Sequence, residues 1–354
     1  MRIGIPKEIK PLESRVGLVP EACAELVRAG HELFLEAGAG VASSYPDESY
    51  TQLGVTLLPD AEAIFGQAEI IVKVKEPFAG EPEMLRRDHL LFCFLHLAAN
   101  AQLTHQLLDS GVTAVAFETL SDRGGLPVLA PMSDIAGRLA VQIGTGLLHQ
   151  PAGGKGILLG GLPAAERGRV VVLGAGQAGG NAVRMAAAMG AEVTVFDRQR
   201  ERMAAMRAVG DNVTALYPYS TSISAAVAGA DLLIGAVLIP GAKAPHLVSK
   251  AQVASMQAGS VVIDISVDQG GCIETTRPTT YESPTFLVDG IIHFGVTNMP
   301  GAVPRSASQT LSAAMLPYLQ RLAAGKLAED EVLSSAVNVS GGEIVYPTLR
   351  NQYM

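Results

Sequence analysis

The segment 169–197 constrains the fold of this chain more than any other. Arg169-Val170-Val171-Val172-Leu173 is a short, β-branched apolar run of the kind that forms a buried strand, and Gly174-Ala175-Gly176-Gln177-Ala178-Gly179 follows it directly. With 38 glycines among 354 residues, a GxGxxG spacing arises by chance about as readily as not, so the motif alone carries little. Its setting carries more. A helical pattern opens at Gly179, a second apolar run covers 193–196, and Asp197 closes that run about 20 residues beyond Gly174. A strand, a glycine turn, a helix and a second strand ending in an acid form a dinucleotide-binding βαβ unit. Gly174 permits the tight turn, Gly176 lets the backbone approach a pyrophosphate, and Gly179 lets helix and strand pack closely. The helix N-terminus offers N–H groups and a partial positive charge to the phosphates. Asp197 can accept hydrogen bonds from ribose hydroxyls and repels a 2′-phosphate, which favours NAD over NADP; Arg198 and Arg200 soften that preference.

The rest of the chain has the same rhythm. Apolar runs over 2–5, 31–35, 69–74, 89–94 and 112–117 predict strands, with helices over 20–28 and 101–109. Beyond the glycine loop, 232–237, 261–266 and 291–296 predict further strands of a second sheet. Long helical patterns at 132–149 and 306–324 bracket that sheet. The expected fold is therefore α/β, with two Rossmann-like parallel-sheet domains. The nucleotide-binding one, 131–305, is inserted into a substrate domain made of 1–130 and 306–354. At about 150 residues per domain, the length suits two.

Composition removes several classes. Hydrophobic residues at 48% against 17% charged supply a core and exclude a disordered chain. A net charge of −8 argues against a nucleic-acid binder. The longest apolar runs, 232–237 and 90–95 among them, fall far short of the roughly 18–20 residues of a membrane span, and the first residues carry no signal-peptide core. Cys23, Cys93 and Cys272 are isolated, with no disulfide framework or CxxC pair, which suits a reducing, cytoplasmic setting. The seven histidines show no HxxxH or HExxH spacing, so no metal centre is expected.

A few polar residues stand in unexpected places. Asp268 follows the apolar run 261–267, where open α/β sheets bind ligands, although an Asx turn among glycines explains it equally well. Lys73 and Lys75 share a strand face just before Pro77, as in a charged edge strand or a site for an anion. His96 closes the run 90–95, as a core histidine or a proton carrier. Arg15 lies in a loop, as a solvated side chain or a carboxylate clamp. Ser133 and Asp134 open a helix, as caps or contacts.

Together these segments resemble the alanine dehydrogenase family, which is related to the NAD-binding subunit of proton-translocating transhydrogenase and to saccharopine-type dehydrogenases. The matching stretches include 1–8, 13–20, 71–77, 92–99, 131–140, 170–180, 262–271 and 298–306. By that resemblance Arg15 and Lys75 bind the substrate carboxylate and carbonyl, and His96 is the general acid/base. Asp268 is the second active-site acid. Gly174, Gly176, Gly179 and Asp197 hold the cofactor, with Ser133 and Asn298 as further contacts. Phe94 replaces a tyrosine common in the family, and 293–295 and 306–308 also depart from its pattern. The resemblance implies reversible NAD-dependent deamination of L-alanine to pyruvate and ammonia by a homo-oligomer, commonly a hexamer. The alternatives are another small 2-amino acid as substrate, the soluble subunit of a transhydrogenase, and a non-catalytic NAD-binding protein.

Overall fold

The computed structural model describes residues 1–237 and 244–353. The chain divides into two compact units, Met1–Met132 with Gly301–Met354, and Ser133–Pro300. The first unit opens with β1 (Arg2–Ile5), β2 (Glu32–Glu36), β3 (Thr56–Leu58), β4 (Ile70–Val72), β5 (Leu90–Cys93) and β6 (Thr113–Ala116). The second holds β7 (Arg169–Leu173), β8 (Glu192–Phe196), β9 (Val213–Leu216), β10 (Leu232–Gly235), β11 (Val261–Asp264), β12 (Thr285–Val288) and β13 (Ile291–Phe294). The chain then returns to the first sheet with β14 (Val337–Ser340) and β15 (Glu343–Ile344).

Both sheets are doubly wound. The first runs β3-β2-β1-β4-β5-β6 in parallel, and β14 and β15 extend it antiparallel beyond β6. The second runs β9-β8-β7-β10-β11-β13 in parallel, with β12 antiparallel at its edge. In each, the strand order reverses once, between β1 and β4 and between β7 and β10. Ligands of such sheets gather at the carboxyl ends of the strands flanking that point, because the connections there leave in opposite directions and open a crevice.

The apolar runs explain the interior strands: β4, β10 and β11 are buried along their whole length. Sequence reading placed β1, β7 and the helix Pro20–Arg28 at the observed residues, with Pro20 in the first turn, where its missing N–H costs nothing. It ran β4 through Val74, but the ladder ends at Val72 although Lys73 and Val74 remain buried. It passed over β3, β9, β12, β14 and β15. All lie at or near sheet edges; β3, β9, β12 and β15 are partly exposed, and the mostly buried β14 is broken by Asn338, so no continuous apolar run marks them. The long helices are Ala130–Leu147 and Pro304–Ala323. Ser133 and Asp134 therefore lie inside a helix and do not cap it. Asp134 instead accepts hydrogen bonds from Gln177 and Asn181 of the helix Gln177–Ala188, both at 2.6 Å. Among the described residues no helix is long and apolar enough to cross a membrane.

Those two helices of the second unit pack so closely that a Cβ at Gly137 would stand 2.0 Å from the Ala178 carbonyl oxygen. Gly146, later in the same helix, has nothing within 4 Å of its Cβ position. Gly137→Ala is expected to destabilise the protein by about 1–3 kcal/mol, because a backbone oxygen must move. Gly146→Ala should instead stabilise it by up to about 1 kcal/mol through helix propensity. Denaturant unfolding of the two variants side by side checks the pair.

Candidate active site

In the first unit, Lys75 follows β4 and His96 follows β5, so two of the expected residues come from the carboxyl ends of neighbouring strands. Arg15 comes from the loop after β1, which is β4's other neighbour. Three residues widely separated in sequence thus follow the carboxyl ends of three adjacent strands of one sheet. β4 pairs with strands on both sides, so the lysines do not mark a sheet edge.

Arg15 is 2% exposed and is not a solvated loop residue. Glu13 grips it from two sides: Nε donates to Oε1 at 2.7 Å and Nη2 to Oε2, while the Arg15 backbone N–H donates to Oε1 at 3.0 Å. Nη1 lies 3.1 Å from the Met132 sulfur. Burial pushes the Glu13 carboxyl up, but the hydrogen bonds and charge of Arg15 outweigh it and hold Glu13 below the usual carboxylate range. The loop is pinned in turn by the helix Pro304–Ala323. Val16 N–H donates to Ser308 Oγ and Val19 N–H to Ser312 Oγ, both at 3.0 Å, and Ser312 Oγ donates to Gly17. Ser308 falls within the run that departs from the family pattern, and its hydroxyl has this structural task.

Lys73 and Lys75 part company beyond the strand end. Lys73 is fully buried between Glu81, at 2.7 Å, and Glu8, at 3.4 Å. Burial pulls Lys73 down, but those two carboxylates raise it further, so it stays charged. Lys75 is half-buried in a different company. Burial lowers its ammonium below the ordinary lysine range and the neighbouring Arg15 lowers it further, against the opposing pull of Glu76 and Glu13. Glu76 is itself ion-paired with Lys10. Glu8 Oε1 accepts the backbone N–H groups of Val74, at 2.6 Å, and Lys75, at 3.3 Å, and so fixes the segment carrying Lys75.

His96 is exposed, not a core histidine. Its ring lies parallel to Phe94, with centroids 5.8 Å apart at 2°. The buried histidines include His89 and His293; His293 lies fully buried between Thr275 Oγ1 and the Ile291 carbonyl oxygen. Its proton affinity is lowered by burial.

In the second unit the glycine loop leaves β7 and enters the helix Gln177–Ala188. Its three glycines differ in kind. Gly174 has φ +93°, and a Cβ there would meet the Ala236 oxygen at 2.6 Å. A Cβ on Gly179 would stand 1.8 Å from the Gly174 oxygen. Gly176 has an ordinary φ, and its nearest neighbour would be the tip of Arg202 at 3.8 Å. The first and third glycines are thus required by the protein itself, while the second keeps space open in front of the helix N-terminus. That is the arrangement a pyrophosphate needs. Asp197, at the end of β8, accepts from Ala175 N–H and Gln199 N–H, both at 2.8 Å, and lies 3.7 Å from Arg202.

Asp268 and Asn298 follow the carboxyl ends of the neighbouring parallel strands β11 and β13. Asp268 is exposed and Asn298 half-buried. Asp264, four residues before Asp268, is itself a turn-making carboxylate. It is fully buried and accepts from Ser266 N–H, Cys272 N–H, Ile273 N–H and Thr276 Oγ1 at 2.8–3.1 Å. Sequence reading missed Glu13, Glu118 and Asp264, which act on the chain around the expected residues. Their only sequence signal is an acid within a few residues of a strand end or an expected site residue.

The chain matches the family described as alanine dehydrogenase/PNT, with its N-terminal domain over residues 4–136 and its C-terminal domain over 140–347. It is 46% identical to the alanine dehydrogenase of Methanococcus maripaludis, covering 98% of this chain and 95% of that one. It is 43% identical to that of Bacillus subtilis, covering 98% and 93%. A solved L-alanine dehydrogenase superposes with a TM-score of 0.96 at 46% identity, over 100% of this chain and 99% of the other. A transhydrogenase from Sinorhizobium meliloti superposes at 0.86 with 26% identity, over 98% and 99%.

The contrast between the glycines is testable. Gly176→Ala should unfold at a temperature within about 1 °C of the parent, since its Cβ meets only a flexible side-chain tip. Binding of NADH, read by its fluorescence, should weaken tenfold or more. Undiminished binding would remove Gly176 from the phosphate site.

Proposed function

The chain belongs to the alanine dehydrogenase/PNT family, and on that premise we propose that it catalyses the reversible NAD-dependent oxidative deamination of L-alanine to pyruvate and ammonia. The observation that carries this reading is the placement of Arg15, Lys75 and His96 after the carboxyl ends of three adjacent strands, in a chain 43–46% identical to alanine dehydrogenases over nearly its whole length. The likeness to a transhydrogenase is more distant, at 26% identity.

In this reading Arg15 and Lys75 hold the substrate carboxylate and the developing carbonyl oxygen. A guanidinium aligned by Glu13 offers fixed donors, which lowers the entropy lost on binding. The residues of the glycine loop and Asp197 suit NAD: space at Gly176 and the helix N-terminus for the pyrophosphate, and a carboxylate for the ribose. The nicotinamide supplies the acceptor for the hydride that leaves Cα. The resulting iminium takes up water to give a carbinolamine, which loses ammonia. Both steps move protons, and His96 accepts and returns them, because an imidazole changes charge near neutral pH with little tuning. Asp268 is assigned the orientation of water and stabilisation of the cationic imine, with Ser133 and Asn298 as cofactor contacts. The carboxylate at Asp197 favours NAD over NADP by repelling a 2′-phosphate. A cytoplasmic homo-oligomer, commonly a hexamer in this family, is part of the same proposal.

Absorbance at 340 nm tests it. NADH should be oxidised with pyruvate only when ammonium is present, faster than NADPH, and pyruvate should outperform the 2-oxo acids corresponding to serine and glycine. Oxidation independent of ammonium would overturn amino-acid chemistry. His96→Ala should lose about 10²-fold or more of kcat while still binding NADH. The lowered proton affinity of Lys75 adds a pH effect. The ammonium grips a carboxylate while protonated, so as pH rises through its depressed pKa the grip is lost. KM for pyruvate should therefore climb below the pH of about 10.4 at which an ordinary lysine discharges. A KM flat to that pH would contradict the role given to Lys75.

A further inference from the structure

The backbone around His96 is held by a residue that neither the sequence nor the mechanism above uses. β5 ends at Cys93, and the next N–H, that of Phe94, still finds the Val74 carbonyl oxygen at 3.1 Å. The two N–H groups after it turn to a side chain. Glu118, two residues beyond the end of the neighbouring β6, accepts from Leu95 N–H with both carboxylate oxygens at 3.2 Å, and from His96 N–H with Oε1 at 2.7 Å. The alignment of the two strand ends makes this possible. Phe117 N–H bonds the Cys93 oxygen at 2.9 Å, which sets the following residue beside the outgoing chain.

The held conformation is an unusual one. His96 has φ +49° and ψ +37°, in the left-handed region that residues with a Cβ seldom enter. Two further bonds depend on that turn: Ala99 N–H to the His96 oxygen and Asn100 N–H to the Leu97 oxygen, at 3.1 and 3.0 Å. An ionised acceptor takes backbone N–H groups more strongly than a neutral one. It is therefore suited to keeping a histidine in a shape that the chain would otherwise leave.

We propose that Glu118 is a positioning residue for His96: its half-buried carboxylate fixes the left-handed turn that directs the imidazole along the face of Phe94 toward the substrate. Glu118 need not touch substrate or cofactor to do this. The proposal rests on the reading of His96 as the proton-transfer group, and it separates Glu118 from an acid that merely stabilises the fold.

A double-mutant cycle in the purified full-length protein tests it, using pyruvate, ammonium and NADH. Glu118→Ala should lower kcat about 10- to 100-fold, the size expected when a reacting group is displaced by about an ångström. KM for pyruvate should change less than threefold, because Arg15 and Lys75 are held by other carboxylates. In the His96→Ala background the same substitution should change kcat less than twofold, since the group it positions is gone. An equal loss in both backgrounds would show a general structural effect and overturn the proposal. So would a large loss in His96→Ala with Glu118→Ala within twofold of the parent. Near-normal kcat in His96→Ala alone would instead overturn the reading on which the proposal rests. If Glu118→Ala does not fold, Glu118→Gln runs the same cycle under the same criteria; it keeps one acceptor oxygen and turns an amide donor toward the other N–H.

Discussion

Where a parallel strand ends, its next backbone N–H groups lose the partner that the ladder supplied, and in this protein carboxylates repeatedly take them. Glu8 serves Val74 and Lys75, and Glu118 serves Leu95 and His96. Asp197 serves Ala175 and Gln199, while Asp264 serves Ser266, Cys272 and Ile273. A buried N–H left unsatisfied costs about 1–3 kcal/mol, so each carboxylate removes a penalty that would otherwise loosen the loop. The loops so fixed are the ones that carry the expected site residues.

This arrangement separates two tasks that a single side chain performs poorly. A group that binds or moves protons must remain approachable, whereas one that sets geometry is best buried. His96 and Asp268 are exposed, while Glu8 and Asp264 are buried. Arg15 is buried with the Glu13 carboxylate gripping its guanidinium. Removing one partner of such a buried pair costs about 3–5 kcal/mol, so the pair is better understood as alignment than as a source of net stability. The opposed charges of Lys73, Glu8 and Glu81 extend the same logic one layer further from the surface.

The fold was largely legible in the sequence because parallel sheets bury both faces of their central strands. β10 is apolar throughout, β1 and β7 are apolar after an opening arginine and β11 up to its final Asp264, and the glycine loop announces the turn that follows β7. Strands at the sheet edges were lost for the complementary reason: β3 and β12 are partly exposed and carry no such run. The long helix start at Ala130 was also misplaced by two residues, since Pro131 sits inside the first turn without breaking it.

By itself the sequence determined the two apolar sheets, the three glycines and the reactive side-chain types, for these follow from local pattern and residue chemistry. Only the tertiary structure decided which of those residues meet. Lys73 and Lys75 look equivalent two positions apart, yet one is locked between Glu8 and Glu81 and the other lies beside Arg15. Taken alone, Arg15 could be a solvated arginine or a carboxylate clamp and His96 a core histidine or a proton carrier; the structure buries Arg15 and exposes His96. Glu118 stands 22 positions from His96 and reaches it only because β5 and β6 end side by side. Register between strands is set by packing across the whole sheet, and that information lies in no single segment of the chain.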